Sequence, residues 1–250
     1  MYLNIENKTL IVKVCDEYMT LPEEIQSKID FQWKKIIKEN PTLWDGDIYC
    51  VSNIIMAKND IEVICKKGKY SHYLYQERLG LPKEYECRNI SAGALLKTKD
   101  GYFVLGELDE NTSYPTVLQI PGGNIDKKDI SNGKIDCIKT IIRETNEEIN
   151  IDLNDKKMVK EYKLNGLYSA EDEEQPGLQV FAIVKLNINK IELEEHFKRY
   201  YELLLNNNSE LEIKRLHFLH KNNCIEEIEK LHNPKRDYII PLLRNNRIDI

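Results

Sequence analysis

The sequence predicts a mixed α/β (α+β) protein, in which a small N-terminal α+β unit precedes a larger domain. Two observations predict it. Short runs rich in β-branched and aromatic residues recur along the chain, which is typical of strands. Longer segments between them carry apolar residues three and four positions apart, which is typical of amphipathic helices. We place the small unit at residues 1–87 and the larger domain at residues 88–250.

The small unit begins with a predicted strand at residues 9–14. A helical pattern follows Pro22 and should stop before Pro41, because the residue preceding a proline disfavours the helical conformation. Two further strands are predicted at residues 48–56 and 61–66.

Residues 69–80 (KYSHYLYQERLG) are rich in tyrosine. One interpretation is packing between the two halves of the chain. The other is a wall for a nucleobase or sugar, because tyrosine rings stack and keep a polar atom. In that second interpretation Tyr73, Tyr75 and Arg78 contact the substrate.

The larger domain opens with a predicted hairpin, residues 91–97 and 102–108 around Lys99-Asp100-Gly101. Its later elements are predicted from the same two periodicities. They are strands at residues 162–168, 178–186 and 212–219, helices at 193–205 and 224–231, and a short helical segment at 238–243.

Residues 119–152 carry the strongest chemical signal. The turn Pro121-Gly122-Gly123 leads through a polar loop into a predicted helix with Arg143, Glu144, Glu147 and Glu148. The three glutamates share one helix face, where like charges repel. The face is either simply solvated or neutralised by a cation. Carboxylates without cysteine or histidine favour Mg²⁺ or Mn²⁺.

The pattern of Gly123 followed by R-E-T-N-E-E resembles the Nudix box, G-x5-E-x7-R-E-U-x-E-E-x-G-U. The segment between Gly123 and Arg143 is six residues longer than in the family. The acid in the middle of the box has no clear counterpart, and either Asp129 or Asp136 could fill its position. Asn150 replaces the last glycine of the box, and asparagine also tolerates the left-handed conformation at a helix end.

The resemblance implies a Nudix α/β/α sandwich with a mixed sheet, and Mg²⁺- or Mn²⁺-dependent hydrolysis of a phosphoanhydride. It implies that Glu147 and Glu148 bind the metal. Glu144 would be a ligand, or would orient and deprotonate the attacking water. Arg143 would hold a glutamate by a salt bridge, and Gly122 would offer a backbone carbonyl to the metal.

Nudix enzymes commonly recruit an acid from outside the box, and residues 170–177 are an acidic loop between two predicted strands. Glu174 and Glu173 are the candidates, with Gln179 as a weaker polar alternative. The other interpretation of this loop is a solvated connection.

The box does not name the substrate. The segments N-P-T-L-W-D-G near residue 40 and E-T-N-E-E-I-N-I-D are similar to Nudix hydrolases that cleave UDP-glucose and UDP-galactose to UMP and sugar 1-phosphate. A UDP-sugar is therefore our first choice. ADP-ribose, a nucleoside triphosphate, and a non-catalytic nucleotide-binding module are the alternatives, the last disfavoured because all three box glutamates are present.

The composition narrows the class of protein. A net charge of −6 argues against nucleic-acid binding, which depends on clustered lysine and arginine. The six cysteines form no C-x-x-C pair, which predicts reduced thiols, a cytoplasmic location and no zinc site. No apolar run is long enough to predict a membrane span. His217 and His220 should point to opposite faces of a strand, which argues against a shared metal. The oligomeric state cannot be predicted.

Overall fold

The computed structural model describes residues 2–169 and 177–246. The strands of this part of the chain form one 13-stranded sheet with parallel and antiparallel neighbours, and the mixed α/β fold class is confirmed. The strands are β1 (Tyr2–Asn4), β2 (Thr9–Tyr18), β3 (Asp47–Met56), β4 (Asp60–Lys69), β5 (Asn89–Lys97), β6 (Tyr102–Leu108), β7 (Leu118–Gln119), β8 (Gly122–Asn124), β9 (Ile130–Ser131), β10 (Lys134–Ile135), β11 (Val159–Ser169), β12 (Gly177–Leu186) and β13 (Ile213–His220). The helices are α1 (Glu23–Glu39), α2 (Tyr70–Leu79), α3 (Cys137–Ile149), α4 (Lys190–Asn206), α5 (Cys224–Lys230) and α6 (Ile239–Asn246).

Helices cover both faces of the central strands. Alternate residues of a strand point to opposite faces, so Leu96 of β5 packs in one cluster with α3 and α4, whereas Leu95 packs in another with α5 and α6. On α3, Ile141, Thr145 and Ile149 are fully buried, as the apolar stripe of this helix requires. The result is an α/β/α arrangement in which the acidic face of α3 lies against Gly122 and Gly123.

The sheet runs through the predicted boundary between the two units. The strand order is β1-β11-β12-β5-β3-β4-β2-β10-β9, so strands from residues 1–87 lie between strands of the larger domain. Strands β3 and β5 are antiparallel neighbours that pair at one position, Cys50 opposite Asn89. The division at residue 87 therefore stays a prediction.

The six additional residues of the box loop have a structure of their own. Residues 130–135 form a hairpin of β9 and β10, whose turn residues Asn132 and Gly133 have φ values of 50° and 69°. Positive φ at both central residues is what the common two-residue hairpin turn demands, and Asn-Gly is its preferred sequence. Strand β10 pairs with β2, placing Lys134 opposite Lys13. The insertion thus joins the box to the N-terminal unit.

One sequence prediction is wrong. Cys50 and Cys87 are joined as a disulfide, with Cα atoms 5.5 Å apart, and are not reduced thiols. The two residues are 37 positions apart, and only the pairing of β3 with β5 brings them together. The other four cysteines are outside any disulfide; Cys65, Cys137 and Cys224 are buried, and Cys15 is partly buried.

Among the described residues, no helix combines the length and the apolar character needed to cross a membrane.

The end of α3 yields a prediction about stability. Asn150 adopts the left-handed conformation, with φ 57° and ψ 40°. Glycine is unstrained there, whereas a branched side chain is not. We expect Asn150→Gly to leave the free energy of unfolding within about 0.5 kcal/mol, and Asn150→Val to lower it by about 1–2 kcal/mol. Urea denaturation of both variants measures the difference; equal losses would contradict the strain argument.

Candidate active site

Residues at its two ends determine where α3, the helix that carries the site, begins and ends. The Asp136 carboxylate accepts hydrogen bonds from the backbone N–H groups of Ile138 and Lys139 at 3.1 and 3.3 Å, and so caps the first turn of α3. At its other end the left-handed Asn150 stops the helix. The acidic face between these ends is therefore fixed in rotation and length against the glycine turn.

The two glycines of the turn are required by close contacts. At Gly122, φ is 154° and a Cβ atom would collide with the backbone of Ala92 and Gly93 on β5. At Gly123, a Cβ atom would lie 2.7 Å from Oε1 of Glu144. The missing side chains let β8 pair with β5 and leave room for the Glu144 carboxylate.

Arg143 connects the helix to the loop before it. One guanidinium nitrogen donates to Glu144 at 2.6 Å and to Glu147 at 3.1 Å. The other donates to the carbonyl oxygen of Asn124 at 3.0 Å and to the carboxylate of Asp129 at 2.9 Å. One side chain therefore holds three carboxylates and the strand that follows the glycine turn.

Asp129, rather than Asp136, is the acid that contacts Arg143. Asp129 lies six positions after Gly123, the position of the acid in G-x5-E. It is 2% exposed, and it also accepts from the Thr140 hydroxyl at 2.9 Å. Burial raises the pKa of Asp129, but the hydrogen bonds and the charge of Arg143 outweigh burial, and the pKa lies below its ordinary value.

Two of the box glutamates are buried. Glu148 is 4% exposed; its Oε2 accepts the N–H of Gly122 at 2.9 Å, and its Oε1 has no partner among the described residues. Burial, with the nearby charges of Glu212 and Glu144, raises the pKa of Glu148 well above its ordinary value. Burial likewise raises the pKa of Glu144 to about 7, although Arg143 opposes that shift. Negative charge here is only partly compensated.

Glu212 is a fourth carboxylate of the site, and it was not among the residues predicted from the sequence. It immediately precedes β13, and its backbone carbonyl accepts from Asp109 N–H at 2.8 Å. Desolvation and the charge of Glu147 raise the pKa of Glu212. The pairing of β13 with β6 brings Glu212 to the box from 64 residues beyond Glu148, and no local motif marks it.

The site opens into a cleft of ≈ 1410 Å³. Arg143, Glu144, Glu147 and Gly122 line it, whereas Glu148 lies behind them. Its described lining contains ten acidic residues and three basic ones. The acids are Glu39, Asp47, Glu77, Glu110, Asp126, Glu144, Glu147, Glu210, Glu212 and Asp237, and the bases are Lys127, Arg143 and Arg236.

The structure brings only part of the predicted set to the cleft. Tyr73 lines it, but Tyr75 and Arg78 are not among the lining residues, because they lie on other sides of α2. Glu173 and Glu174 lie outside the described residues. Gln179 lines the cleft and accepts a hydrogen bond from the Ser91 hydroxyl.

The donor set fits a hard divalent cation. Among the described residues, no three acidic, histidine or cysteine side chains already stand around one point as ligands, and Arg143 pairs with two of the glutamates. However, the buried Oε1 of Glu148 accepts no hydrogen bond from the described residues, and a buried carboxylate oxygen in that state is suited to a cation. Carboxylate oxygens are the ligands that Mg²⁺ and Mn²⁺ prefer.

No protein-family model matches the chain, and no curated protein matches it. Among solved structures, the chain is similar to a Nudix hydrolase from Nitrosomonas europaea, at 13% identity over 63% of this chain and 87% of that one, with a TM-score of 0.39. It is also similar to a C. elegans Ap4A hydrolase, at 17% identity over 62% of this chain and 92% of that one, with a TM-score of 0.36.

A third similar structure is a bifunctional NMN adenylyltransferase/ADP ribose pyrophosphatase from Francisella tularensis, at 14% identity over 70% of this chain and 46% of that one, with a TM-score of 0.42. At TM-scores this low, we base the function on the geometry of the site itself.

The different positions of the two loop acids yield a prediction. We expect Asp129→Asn to lower the free energy of unfolding by about 3 kcal/mol, because it leaves Arg143 half-paired in a buried position. Asp136→Asn should cost less than about 0.5 kcal/mol, since asparagine caps a helix as well as aspartate. Chemical denaturation at neutral pH compares the two variants, and equal losses would contradict the assignment.

The loss of stability caused by Asp129→Asn should also depend on pH. Because the pKa of folded Asp129 lies below its ordinary value of 3.8, its stabilisation is full above that pH and is lost as the pH falls through the folded pKa. The difference between wild type and Asp129→Asn should therefore shrink in acid. A difference that stays constant down to pH 2 would show that the charge of Asp129 is not responsible.

Proposed function

We propose that the protein is a Nudix-type pyrophosphohydrolase that uses Mg²⁺ or Mn²⁺ to hydrolyse the phosphoanhydride of a nucleoside diphosphate derivative. One observation carries the proposal. Buried, incompletely neutralised glutamates stand directly behind a glycine turn at the wall of a large cleft. The proposal is also supported by two contacts near the turn: Arg143 binds Asp129 and the carbonyl oxygen of Asn124, and Glu144 lies over Gly123.

The chain offers a set of oxygen ligands. We assign Glu147 and Glu148, together with Glu144 and the carbonyl oxygen of Gly122, to the metal, and we add Glu212 from outside the box. The bound ion would neutralise the charge that develops on the phosphates and activate water. Arg143 orients Glu144 and Glu147 by its two hydrogen bonds from one nitrogen.

Glu144 is the residue we assign to the attacking water. Arg143 holds its carboxylate at 2.6 Å, and a carboxylate can take a proton from water in general-base catalysis. Its carboxylate faces the space above Gly123, where a side chain is absent. Glu144 would therefore orient that water and accept its proton.

The charge of the cleft explains why a cation is needed. With ten acids against three bases in its described lining, the cleft repels a diphosphate that arrives alone. A complex of the diphosphate with Mg²⁺ removes most of that repulsion. The same acidity supports a small nucleotide, rather than nucleic acid, as the partner.

A UDP-sugar remains our first choice of substrate, with UMP and sugar 1-phosphate as products. The cleft volume of ≈ 1410 Å³ exceeds the ~300–1,000 Å³ typical of ligand pockets and leaves room for both halves of such a molecule. ADP-ribose and nucleoside triphosphates are the alternatives. A non-catalytic nucleotide-binding module is disfavoured, because such a module has no need to bury uncompensated carboxylates.

Glu148→Gln separates the metal site from the fold. The amide oxygen can still accept the N–H of Gly122, and a buried negative charge is removed. Metal-free variant and wild type should therefore have similar unfolding temperatures, with the variant equal or higher. We expect Mg²⁺ to raise the unfolding temperature of the wild type but not of the variant, and turnover to fall about a hundredfold or more.

Glu110→Gln is the matched control, since Glu110 also lines the cleft but lies away from α3. It should keep the stabilisation by Mg²⁺ and the turnover. Hydrolysis of UDP-glucose, ADP-ribose, dinucleoside polyphosphates and nucleoside triphosphates, followed by phosphate release after phosphatase treatment, ranks the substrates. If the wild type hydrolyses none of them with either metal, the protein is a binding module.

A further inference from the structure

The cleft is also lined by a second set of side chains, which come from elements other than α3. Tyr70, Tyr73 and Glu77 come from α2, Tyr114 comes from the loop after β6, and Arg236 comes from the segment before α6. We call these five residues the aromatic subsite. The proposed metal-dependent hydrolysis assigns no role to these five residues.

Arg236 is held in place without being neutralised. Its guanidinium lies 4.3 Å from the centre of the Tyr114 ring, which fixes its plane. Its backbone N–H donates to the carbonyl oxygen of Leu118 at 3.1 Å, so the segment is anchored independently of the side chain. Among the described residues, no carboxylate forms an ion pair with Arg236. Its planar set of N–H donors is available to a ligand in the cleft.

Glu77 offers the complementary group. The Tyr73 hydroxyl donates to its Oε1 at 2.6 Å, whereas its Oε2 is buried and has no partner among the described residues. Tyr73 also stacks with Tyr70, with ring centres 6.1 Å apart and planes 28° apart. Burial raises the pKa of the Glu77 carboxyl, and the charge of Arg236 acts against that shift. The carboxylate lacks one hydrogen-bond donor.

We propose that the aromatic subsite recognises a keto nucleobase, uracil or guanine, whose ring N–H donates to Glu77 and whose neighbouring carbonyl oxygen accepts from Arg236. This inference rests on the proposed function, because it takes the ligand of the cleft to be a nucleotide. It makes Glu77 and Arg236 the residues that determine base specificity.

Charge decides between the possible ligand groups. A phosphate beside Arg236 would be repelled by the carboxylate of Glu77, so the phosphates belong at the metal end of the cleft. Carboxylates accept from ring and amino N–H groups, and arginine donates preferentially to keto oxygens such as the O6 of guanine. A flat heterocycle with adjacent N–H and C=O groups satisfies both residues at once and can lie against the tyrosine rings.

The test measures binding of UMP, GMP, AMP and CMP to the protein in Mg²⁺ by titration calorimetry. We expect UMP or GMP, or both, to bind at least about tenfold more tightly than AMP and CMP, since an unpaired buried carboxylate is costly. The relative affinities of UMP and GMP distinguish the two keto bases.

Glu77→Gln should change the preference. The Tyr73 hydroxyl keeps the amide oxygen of glutamine on its own side, so the NH₂ group faces the base and opposes its N–H. Affinity for the keto nucleotide should fall about tenfold or more, while AMP or CMP, which present a ring-nitrogen acceptor, should bind as well as before or better. Arg236→Gln should lower the affinity for the keto nucleotide by a similar factor.

Glu194→Gln and Arg244→Gln are the controls, because they remove the same charges from exposed positions outside the cleft lining and should leave all four affinities unchanged. The inference is overturned if Glu77→Gln weakens the binding of all four nucleotides equally. It is also overturned if Glu77→Gln and Arg236→Gln instead weaken the binding of glucose 1-phosphate. Hydrolysis without base preference would also overturn it and leave the proposed function intact. Base preference with the expected variant pattern but no hydrolysis would support the inference and refute the catalytic proposal.

Discussion

The structure of the site depends on the burial of negative charge around one arginine. Arg143 binds carboxylates from the loop before α3 and from α3 itself, and it also binds the backbone after the glycine turn. Such a network is stable only when the geometry is good and the partners are all present. The glycine turn, the capped helix and the buried Asp129 each supply part of that geometry.

Arg143 does not neutralise the whole cluster. It contacts Glu144 and Glu147, whereas Glu148 accepts the backbone N–H of Gly122 and lies beside the further carboxylate of Glu212. Evolution tolerates a buried, undercompensated carboxylate where it serves chemistry, because replacing it with a neutral residue would be easy. Burial is the largest cause of the raised pKa of Glu148, and in the proposed function a divalent cation would supply the positive charge that the cluster lacks.

Much of the fold could be predicted from the sequence, because local sequence patterns indicate where its helices and strands lie. Helix α1 ends at Glu39, just before Pro41, and the hairpin of β5 and β6 turns at the predicted glycine. The contacts between distant segments could not be predicted. The disulfide of Cys50 and Cys87 and the approach of Glu212 both depend on strand pairing, which composition and periodicity do not record.

In the candidate site, too, the local features could be predicted and the contacts between distant segments could not. Arg143 and the three glutamates of α3 were recognisable because helical spacing alone puts them on one face. The choice between Asp129 and Asp136 was left open although Asp129 has the spacing G-x5-E; the structure separates them, because Asp136 caps α3 and Asp129 binds Arg143. Residues 69–80 showed an excess of tyrosine, but only the orientation of α2 shows that Tyr73 faces the cleft and Tyr75 does not.

The hairpin of β9 and β10 explains how two parts of the chain come to share one cleft. Because β10 pairs with β2, the loop that places Asp129 is tied to the N-terminal strands, and those strands carry α2 with them. A change in the N-terminal unit can therefore alter the width of the cleft without touching a carboxylate. The aromatic subsite takes Tyr70, Tyr73 and Glu77 from the N-terminal unit and Tyr114 and Arg236 from the larger domain, so its shape depends on how these two parts of the sheet are joined.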